Sequence, residues 1–268
     1  MRCAVLGDPI AHSLSPVLHR AGYAAAGLDW AYEAVRVDEA GLPGFLAGLD
    51  DGWRGLSLTM PLKRAVLPLA TRVGELARLA GAANTLVLVD GERHVDNTDL
   101  PGAMAAIAER YDGPLESVAV LGGGATAASI GLATVMLGAR EVVVLARRPD
   151  RAAETVAAIA AHPSAPRVEA RPLDDVPRAD ALVSTVPAEA QTPELVARWG
   201  AAPLVFEALY EPWPTPLARA ASLGGAALVS GLDLLVHQAA LQFTAFTGLA
   251  APLASMRAAG EAALAERG

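Results

Sequence analysis

The feature that most constrains this chain is a glycine-rich turn near its middle. Gly122, Gly123 and Gly124 come directly after the apolar run 118–121. Together with Ala127 they give the pattern Gly-x-Gly-x-x-Gly/Ala, in which backbone amides can approach a pyrophosphate at the positive end of the following helix. The turn therefore predicts a strand, a phosphate loop and a helix, which is the start of a dinucleotide-binding domain.

A second apolar run, residues 142–145, is followed by a cluster of arginines. NAD-specific sites usually carry an acidic residue at this point, which holds the ribose diol. Here the chain reads Ala146, Arg147 and Arg148, with Arg151 close behind. Arginines in such a loop are often solvated surface charges, and Arg151 also fits the first turn of an exposed helix. Because guanidinium groups bind a 2'-phosphate well, the cluster favours NADP(H) as the cofactor.

Composition limits the other classes of protein and of partner. The 268 residues, 53% of them hydrophobic, suffice for one large or two modest domains with buried cores. A net charge of -8 argues against a protein that binds nucleic acid or an anionic membrane surface. Cys3 is the only cysteine, which excludes an intramolecular disulfide, and the five histidines lack the spacing of a zinc site. We therefore expect no metal.

The uncharged segment 117–139 bears on the membrane question. It is long enough to suggest a transmembrane helix, but its five glycines divide it into a strand, a phosphate loop and a packed helix. Residues 1–7 lead directly into an apolar strand rather than into the core of a signal peptide. We expect a cytoplasmic enzyme that acts on a small molecule and contacts no membrane.

Apolar runs alternate with helical patterns on both sides of the glycine turn, which is typical of parallel sheets built from βαβ units. Before the turn, the pattern predicts strands at 3–6, 31–37 and 55–58, helices from Pro16 and over 42–49, and a hairpin of 86–89 with 93–96 around Asp90 and Gly91. After the turn, it predicts strands at 118–121, 142–145, 181–186, 204–206 and 226–229, and helices from Gly231 to about Thr247 and from Pro252 onward.

This order of elements predicts a two-domain α/β protein. Residues 1–99 and 231–268 form a substrate-binding and catalytic domain with a mainly parallel sheet. This domain has two segments because the final helices are expected to pack back on the first domain. Residues 100–230 form an NADP-binding Rossmann domain. We expect the active site in a cleft between the two domains.

Several polar residues lie next to the ends of predicted strands of the first domain. Ser13 and Ser15 precede Pro16, where two hydroxyls near a helix N-terminus can bind a carboxylate, although Ser15 also fits an ordinary N-cap. The other candidates are Thr59, Lys63, Asn84 and Asp99. Lys63 could equally be a solvated cation and Asp99 a helix N-cap. Because ligands of parallel sheets bind beyond the carboxyl ends of the strands, we expect these side chains to converge.

The complete set of motifs resembles the shikimate dehydrogenase family over nearly the whole chain. The motifs are GDPIAHSLSPVLH, SLTMPLK, GAANTL, DNTD, the glycine turn, the arginine cluster, YEPWPTPL and GLDLLVHQA, in that order. The resemblance implies a reversible, NADPH-dependent reduction of 3-dehydroshikimate to shikimate in the chorismate pathway of aromatic amino acid biosynthesis. It also allows roles to be assigned where single positions match the family.

The resemblance implies three groups of site residues. Lys63 and Asp99 form the catalytic pair. The substrate contacts are Ser13 and Ser15 on the carboxylate, Thr59, Asn84, Asp99 and Gln238 on the ring hydroxyls, and Tyr210 as a substrate-side hydroxyl. The cofactor contacts are Gly122, Gly123, Gly124, Ala125, Thr126, Ala127, Arg147, Arg148, Arg151, Thr185, Gly231 and Leu234.

Some positions depart from the pattern of the family and leave alternatives open. Ser57 stands where asparagine is common, Ala125 where glycine is frequent, and Ala146 and Arg148 within the usual Asn-Arg-Thr motif; Arg20, Glu207 and Leu234 replace the usual asparagine, aspartate and methionine. A quinate/shikimate or aminoshikimate dehydrogenase shares the scaffold. A non-catalytic NADP-binding sensor would not need Lys63, Asp99 and the serine pair together. Either a monomer or a homodimer is compatible with the sequence.

Overall fold

The computed structural model describes residues 1–267, which fall into two compact units. The first unit comprises residues 1–78, 82–98 and 235 onward, and the second comprises residues 79–81 and 99–234. Each unit is built around its own six-stranded sheet. The predicted α/β class is confirmed.

The first unit contains most of residues 1–98 and most of the two last helices. Its elements are β1 (Arg2–Gly7), α1 (Ser15–Ala25), β2 (Ala31–Arg36), α2 (Leu42–Ala47), β3 (Trp53–Leu58), α3 (Leu62–Ala65), β4 (Arg72–Val73), α4 (Glu75–Ala80), β5 (Thr85–Val89), β6 (Glu92–Asp96), α10 (Gly231–Thr247) and α11 (Leu253–Ala265). The unit boundary falls within α4, and it divides α10 after Leu234.

The sheet of the first unit is mixed. Its strand order is β2-β1-β3-β5-β6-β4, with β1 parallel to both β2 and β3. Strand β5 runs antiparallel to β3 and to β6, as the hairpin prediction requires. Both turn residues, Asp90 with φ 51° and Gly91 with φ 78°, are left-handed, the conformation that tight two-residue hairpins need. The buried leucines Leu6, Leu56 and Leu86 pack in the core on one face of this sheet.

The second unit contains the middle of the chain. Its elements are α5 (Asp99–Arg110), β7 (Ser117–Leu121), α6 (Ala125–Met136), β8 (Glu141–Ala146), α7 (Ala153–Ala160), β9 (Arg167–Pro172), β10 (Ala181–Ser184), α8 (Pro193–Trp199), β11 (Leu204–Glu207), α9 (Pro216–Gly224) and β12 (Ala227–Val229). A short 3₁₀ turn, Pro149–Ala152, precedes α7.

The sheet of the second unit is entirely parallel. Its order is β12-β11-β10-β7-β8-β9, which is the Rossmann order with the first strand, β7, beside the fourth, β10. Strand β9 was not among the predicted strands. Central strands such as β7 are buried and read as continuous apolar runs, whereas β9 lies at the sheet edge and alternates charged with apolar residues.

Predicted strand ends differ from the observed ones by a few residues. The prediction for 181–186 was too long, because β10 ends at Ser184. Within residues 1–267, no helix is long and apolar enough to cross a membrane.

Candidate active site

The serine pair lies at the start of α1. The N-cap residue is Leu14, which makes no side-chain cap, so Ser15 and Pro16 are the first residues of the helix. The reading of Ser15 as the cap is therefore wrong. The Ser15 amide donates to Ser13 Oγ at 3.3 Å, and the Ser15 side chain is 5% exposed. Two hydroxyls at the positive end of a helix are suited to bind an anion.

Asn84, immediately before β5, is the centre of a buried polar cluster. Its Nδ2 donates to Gln238 Oε1 at 3.0 Å, so the two predicted hydroxyl partners are brought together. Its Oδ1 accepts bonds from Thr85 Oγ1 at 2.9 Å and from the Thr98 amide at 2.8 Å. Asn84 is 2% exposed and Gln238 is 6% exposed. Because a buried amide needs its partners, this network fixes the orientation of both side chains.

Sequence reasoning missed Gln242, which extends the cluster from α10. Its Nε2 donates to Asn84 O at 2.9 Å and to Thr85 Oγ1 at 3.0 Å. Its Oε1 accepts a bond from Ser57 Oγ at 2.7 Å, and Ser57 in turn accepts one from the Tyr32 hydroxyl at 2.5 Å. Gln242 follows Gln238 by one helical turn, and this spacing was the only signal in the sequence.

His19 lies at the far end of this cluster. Its ring stacks on Tyr32 with centroids 4.2 Å apart, and Nε2 lies 3.4 Å from Gln242 Oε1. Burial lowers the pKa of His19 to about 3, against which the Gln242 contact acts weakly. A ring that is neutral at physiological pH is part of the core rather than an acid or base for catalysis.

Thr59 and Lys63 follow β3. The Leu58 amide donates to Asn84 O at 2.8 Å, and the Ala83 amide donates to Lys63 O at 2.7 Å. These two bonds tie the turn that carries Thr59 and Lys63 to the segment that carries Asn84. Both side chains are half-buried.

Asp99 and Tyr210 belong to the second unit. Asp99 is the first residue of α5 and is 4% exposed. Tyr210 follows β11 and is half-buried. The assignment of Asp99 to a pair with Lys63, and of Tyr210 to the substrate, stays a prediction.

The glycine turn has the geometry of a phosphate loop. Gly122 has φ +107°, and a Cβ there would lie 2.3 Å from Thr185 Oγ1, which itself donates to Leu121 O at 2.8 Å. Gly124 is the N-cap of α6, whose first turn carries no acidic residue. The helix begins with Ala125 and Thr126, and a helix N-terminus of this kind favours an anion through its dipole.

The arginine cluster follows β8, which pairs in parallel with β7. The carboxyl ends of these two strands therefore lie side by side, and the arginines follow at the same edge as the glycine turn. Arg147, Arg148 and Arg151 are all exposed. Arg148 also pairs with Asp150 at 3.1 Å. Exposed guanidinium groups are well suited to bind a phosphate.

The segment after β11 packs against the start of α10. A Cβ on Gly231 would lie 2.3 Å from Ala208 O, so only glycine fits there. Glu207, fully buried, holds the beginning of this segment: it accepts bonds from the Leu209 amide at 3.2 Å and from Gln191 Nε2 at 2.6 Å. Burial raises the pKa of the Glu207 carboxyl, and its hydrogen bonds act in the opposite direction. Leu234, predicted near the nicotinamide, is 7% exposed.

Among residues 1–267, no three His, Cys, Asp or Glu side chains are grouped so that they could hold a metal ion.

Comparison with known proteins identifies the family. The model of the shikimate dehydrogenase substrate binding domain matches residues 5–86, and that of the shikimate 5'-dehydrogenase C-terminal domain matches residues 231–259. The NADP(+)-dependent shikimate dehydrogenase of Moorella thermoacetica is 34% identical over 265 residues, which cover 94% of this chain and 90% of that protein.

Two crystal structures extend the likeness to three dimensions. The shikimate dehydrogenase of Mycobacterium tuberculosis has a TM-score of 0.89 and 39% identity, over 97% of this chain and 99% of that chain. The enzyme of Thermus thermophilus in complex with NADP(H) and shikimate has a TM-score of 0.86 and 31% identity, over 98% and 99%. These likenesses confirm both the predicted family and the two-domain fold class. The chain belongs to the shikimate dehydrogenase family.

Proposed function

We propose that the chain catalyses the reversible, NADPH-dependent reduction of 3-dehydroshikimate to shikimate, a step in the biosynthesis of chorismate and aromatic amino acids. The observation that carries this proposal is the buried cluster around Asn84 and Gln238, together with a phosphate loop followed by arginines in the same chain. The cluster provides hydrogen-bond partners for a polyhydroxylated ring. The loop and the arginines provide groups that bind a phosphorylated dinucleotide. The first unit is thus the substrate-binding domain and the second the NADP-binding domain.

The substrate would be held at two ends. Ser13 and Ser15 donate hydrogen bonds to the carboxylate, which the dipole of α1 also favours at this end of the helix. Thr59, Asn84, Asp99 and Gln238 bond the ring hydroxyls. Tyr210 adds a hydroxyl from the substrate side of the second domain.

The chemistry of the chain falls to Lys63 and Asp99. NADPH held by the glycine turn and the arginines would supply a hydride to the carbonyl carbon, and negative charge would then develop on the carbonyl oxygen. The Lys63 ammonium stabilises that charge and donates the proton. Asp99 accepts hydrogen bonds from Lys63 and from a neighbouring ring hydroxyl, so it orients both.

The cofactor contacts come mainly from the backbone. The turn of Gly122, Gly123 and Gly124 with Ala125, Thr126 and Ala127 binds the pyrophosphate, and Thr185 supports the turn. Arg147, Arg148 and Arg151 bind the 2'-phosphate. Gly231 and Leu234 line the nicotinamide pocket.

A substrate-by-cofactor assay tests the proposal. Purified protein is assayed spectrophotometrically with shikimate, quinate and aminoshikimate, each against NADP and NAD. The proposal predicts the highest kcat/KM for shikimate with NADP. A preference for quinate or aminoshikimate would show that shikimate is not the main substrate. NADP binding without turnover of any of the three compounds would indicate a non-catalytic sensor.

Two further expectations belong to the proposal. We expect the enzyme to act in the cytoplasm. We expect a monomer or a homodimer, which light scattering of the purified protein distinguishes.

A further inference from the structure

Thr155, on α7, contacts the glycine turn directly. Its Oγ1 lies 2.7 Å from Gly123 O and 3.3 Å from Gly124 O, and its hydroxyl donates to these carbonyls. Thr155 is 0% exposed. It belongs neither to the glycine pattern nor to the arginine cluster.

The same region of the chain also packs against the turn. A Cβ on Gly123 would lie 2.9 Å from Ala152 Cβ and 3.1 Å from Ala152 Cα. Ala152 ends the 3₁₀ turn that contains Arg151, and Thr155 follows in the first turn of α7. Residues 152–155, which follow the arginine cluster, therefore pack against the glycine turn.

The geometry of the peptide bond gives this contact a consequence for phosphate binding. In a trans peptide the C=O of one residue and the N–H of the next point in opposite directions. A bond that holds Gly123 O towards buried Thr155 therefore turns the Gly124 N–H away from α7. Gly124 O also accepts the Ala128 amide at 3.0 Å within α6. The helix therefore already sets the orientation of the Gly124 carbonyl, and the 3.3 Å contact with Thr155 only adds to it.

We propose that Thr155 is a positioning residue of the cofactor site, which aims the Gly124 amide at the pyrophosphate by fixing the Gly123 carbonyl. This inference rests on the proposed NADP-binding role of the second unit. Without the hydroxyl, Gly123 O loses a buried donor and the Gly123–Gly124 peptide can rotate. The pyrophosphate contact weakens, while the arginines that bind the 2'-phosphate keep their own environment.

Isosteric and matched variants test the proposal. Thr155→Val removes the hydroxyl at nearly constant volume, and Thr155→Ser keeps it. Thr134→Val is the control, because Thr134 is also 0% exposed and its Oγ1 donates to a glycine carbonyl, Gly131 O, at the same 2.7 Å within the same unit. If the valine variant does not fold, Thr155→Ala removes the same hydroxyl with a smaller side chain.

Two probes separate the parts of the cofactor site. NADPH is titrated by its fluorescence, and adenosine 2'-monophosphate, which lacks the pyrophosphate, is titrated by calorimetry. For Thr155→Val we expect about tenfold weaker binding of NADPH, the value of one well-made hydrogen bond, and unchanged binding of the monophosphate. Thr155→Ser and Thr134→Val should both bind NADPH like the wild type.

The outcomes distinguish this inference from the proposed function. Wild-type affinity for NADPH in Thr155→Val would overturn the inference alone. An equal loss for NADPH and for the monophosphate would also overturn it, because Thr155 would then support the whole domain rather than the pyrophosphate loop. If the wild type bound no NADPH, the inference and the proposed function would both fail.

Discussion

The two candidate binding regions of this molecule differ in the groups that form them, which are side chains in one and backbone in the other. In the first unit, the polar cluster consists of side chains that bond to one another, with Asn84 between Gln238 and Gln242. In the second unit, the candidate cofactor region is formed by backbone, with Gly122 at positive φ and Gly124 opening a helix. From this contrast we expect changes of single side chains to act on the substrate, and changes of the loop backbone to act on cofactor binding.

The largest effect is expected from a single functional group. Replacing Lys63 by alanine removes the proposed proton donor and the positive charge that stabilises the oxyanion. We expect kcat to fall by about a thousandfold with little change in the KM of shikimate, because general acid catalysis contributes at about this scale. Steady-state kinetics with shikimate and NADP each varied in turn gives kcat and KM separately.

Arg64 provides the control for Lys63. It is the next residue of α3 and a cation of similar length, and it has no proposed role in the site. Arg64→Ala should therefore keep the wild-type kcat. A Lys63→Ala variant with unchanged kcat and a raised KM would show a binding residue and would remove the functional contrast between the two regions.

A backbone change should act on the cofactor alone. In Gly122→Ala the new Cβ would meet Thr185 Oγ1, and φ +107° is strained for any residue but glycine. Strain of this kind costs about 1–3 kcal/mol, so we expect NADPH affinity to fall roughly tenfold to a hundredfold while the affinity for shikimate stays the same. Fluorescence titration of NADPH provides the measurement.

Gly138 provides a control for backbone strain at a site outside the glycine turn. It has φ +118° at the end of α6, and a Cβ there would meet nothing within 4 Å. Gly138→Ala therefore carries backbone strain without touching the loop, and it should lower the melting temperature but not the NADPH affinity. Equal losses of affinity in both glycine variants would mean that general destabilisation explains the effect.

The smallest effect concerns pH, and its sign differs between the two units. The folded-state pKa of His19, about 3, lies below the ordinary 6.5, so the unfolded chain binds the extra proton and stability is lost as the pH falls below about 6.5. The folded-state pKa of Glu207 lies above the ordinary 4.5, so its stabilising contribution is lost as the pH rises above 4.5. By about pH 5.5, His19 should cost about 1 kcal/mol.

Thermal unfolding between about pH 4.5 and 7.5 tests these signs. His19→Phe keeps an aromatic ring beside Tyr32 and should lessen the loss of stability on acidification. Glu207→Gln should lessen the loss on raising the pH. Profiles parallel to that of the wild type would show that neither buried group sets the pH dependence of its unit.

Local signals made much of the fold predictable. The glycine turn and the Asp90–Gly91 turn each require a backbone conformation that few residues adopt, so their sequence is specific for their structure. Buried parallel strands such as β7 and β8 read as uninterrupted apolar runs. The end of a strand likewise marked Thr59 and Lys63 as candidates for the site.

Features that depend on distant parts of the chain could not be predicted. Strand β9 alternates Arg167, Glu169 and Arg171 with small apolar residues beside two prolines, which reads as a loop until β8 provides its partner. The bonds of Gln242 to Ser57 and Asn84 join residues more than 150 positions apart. The contact of Thr155 with Gly123 likewise depends on how α7 returns to the glycine turn.

A crystal structure of the protein with NADP and shikimate tests the central claim most directly. The account predicts the shikimate carboxylate on the hydroxyls of Ser13 and Ser15, and Lys63 Nζ within hydrogen-bonding distance of both Asp99 and the hydroxyl that is oxidised. It also predicts the pyrophosphate on the amides of Gly124 and Ala125. A structure with Lys63 and Asp99 far apart, or with both turned away from the bound ring, would contradict it.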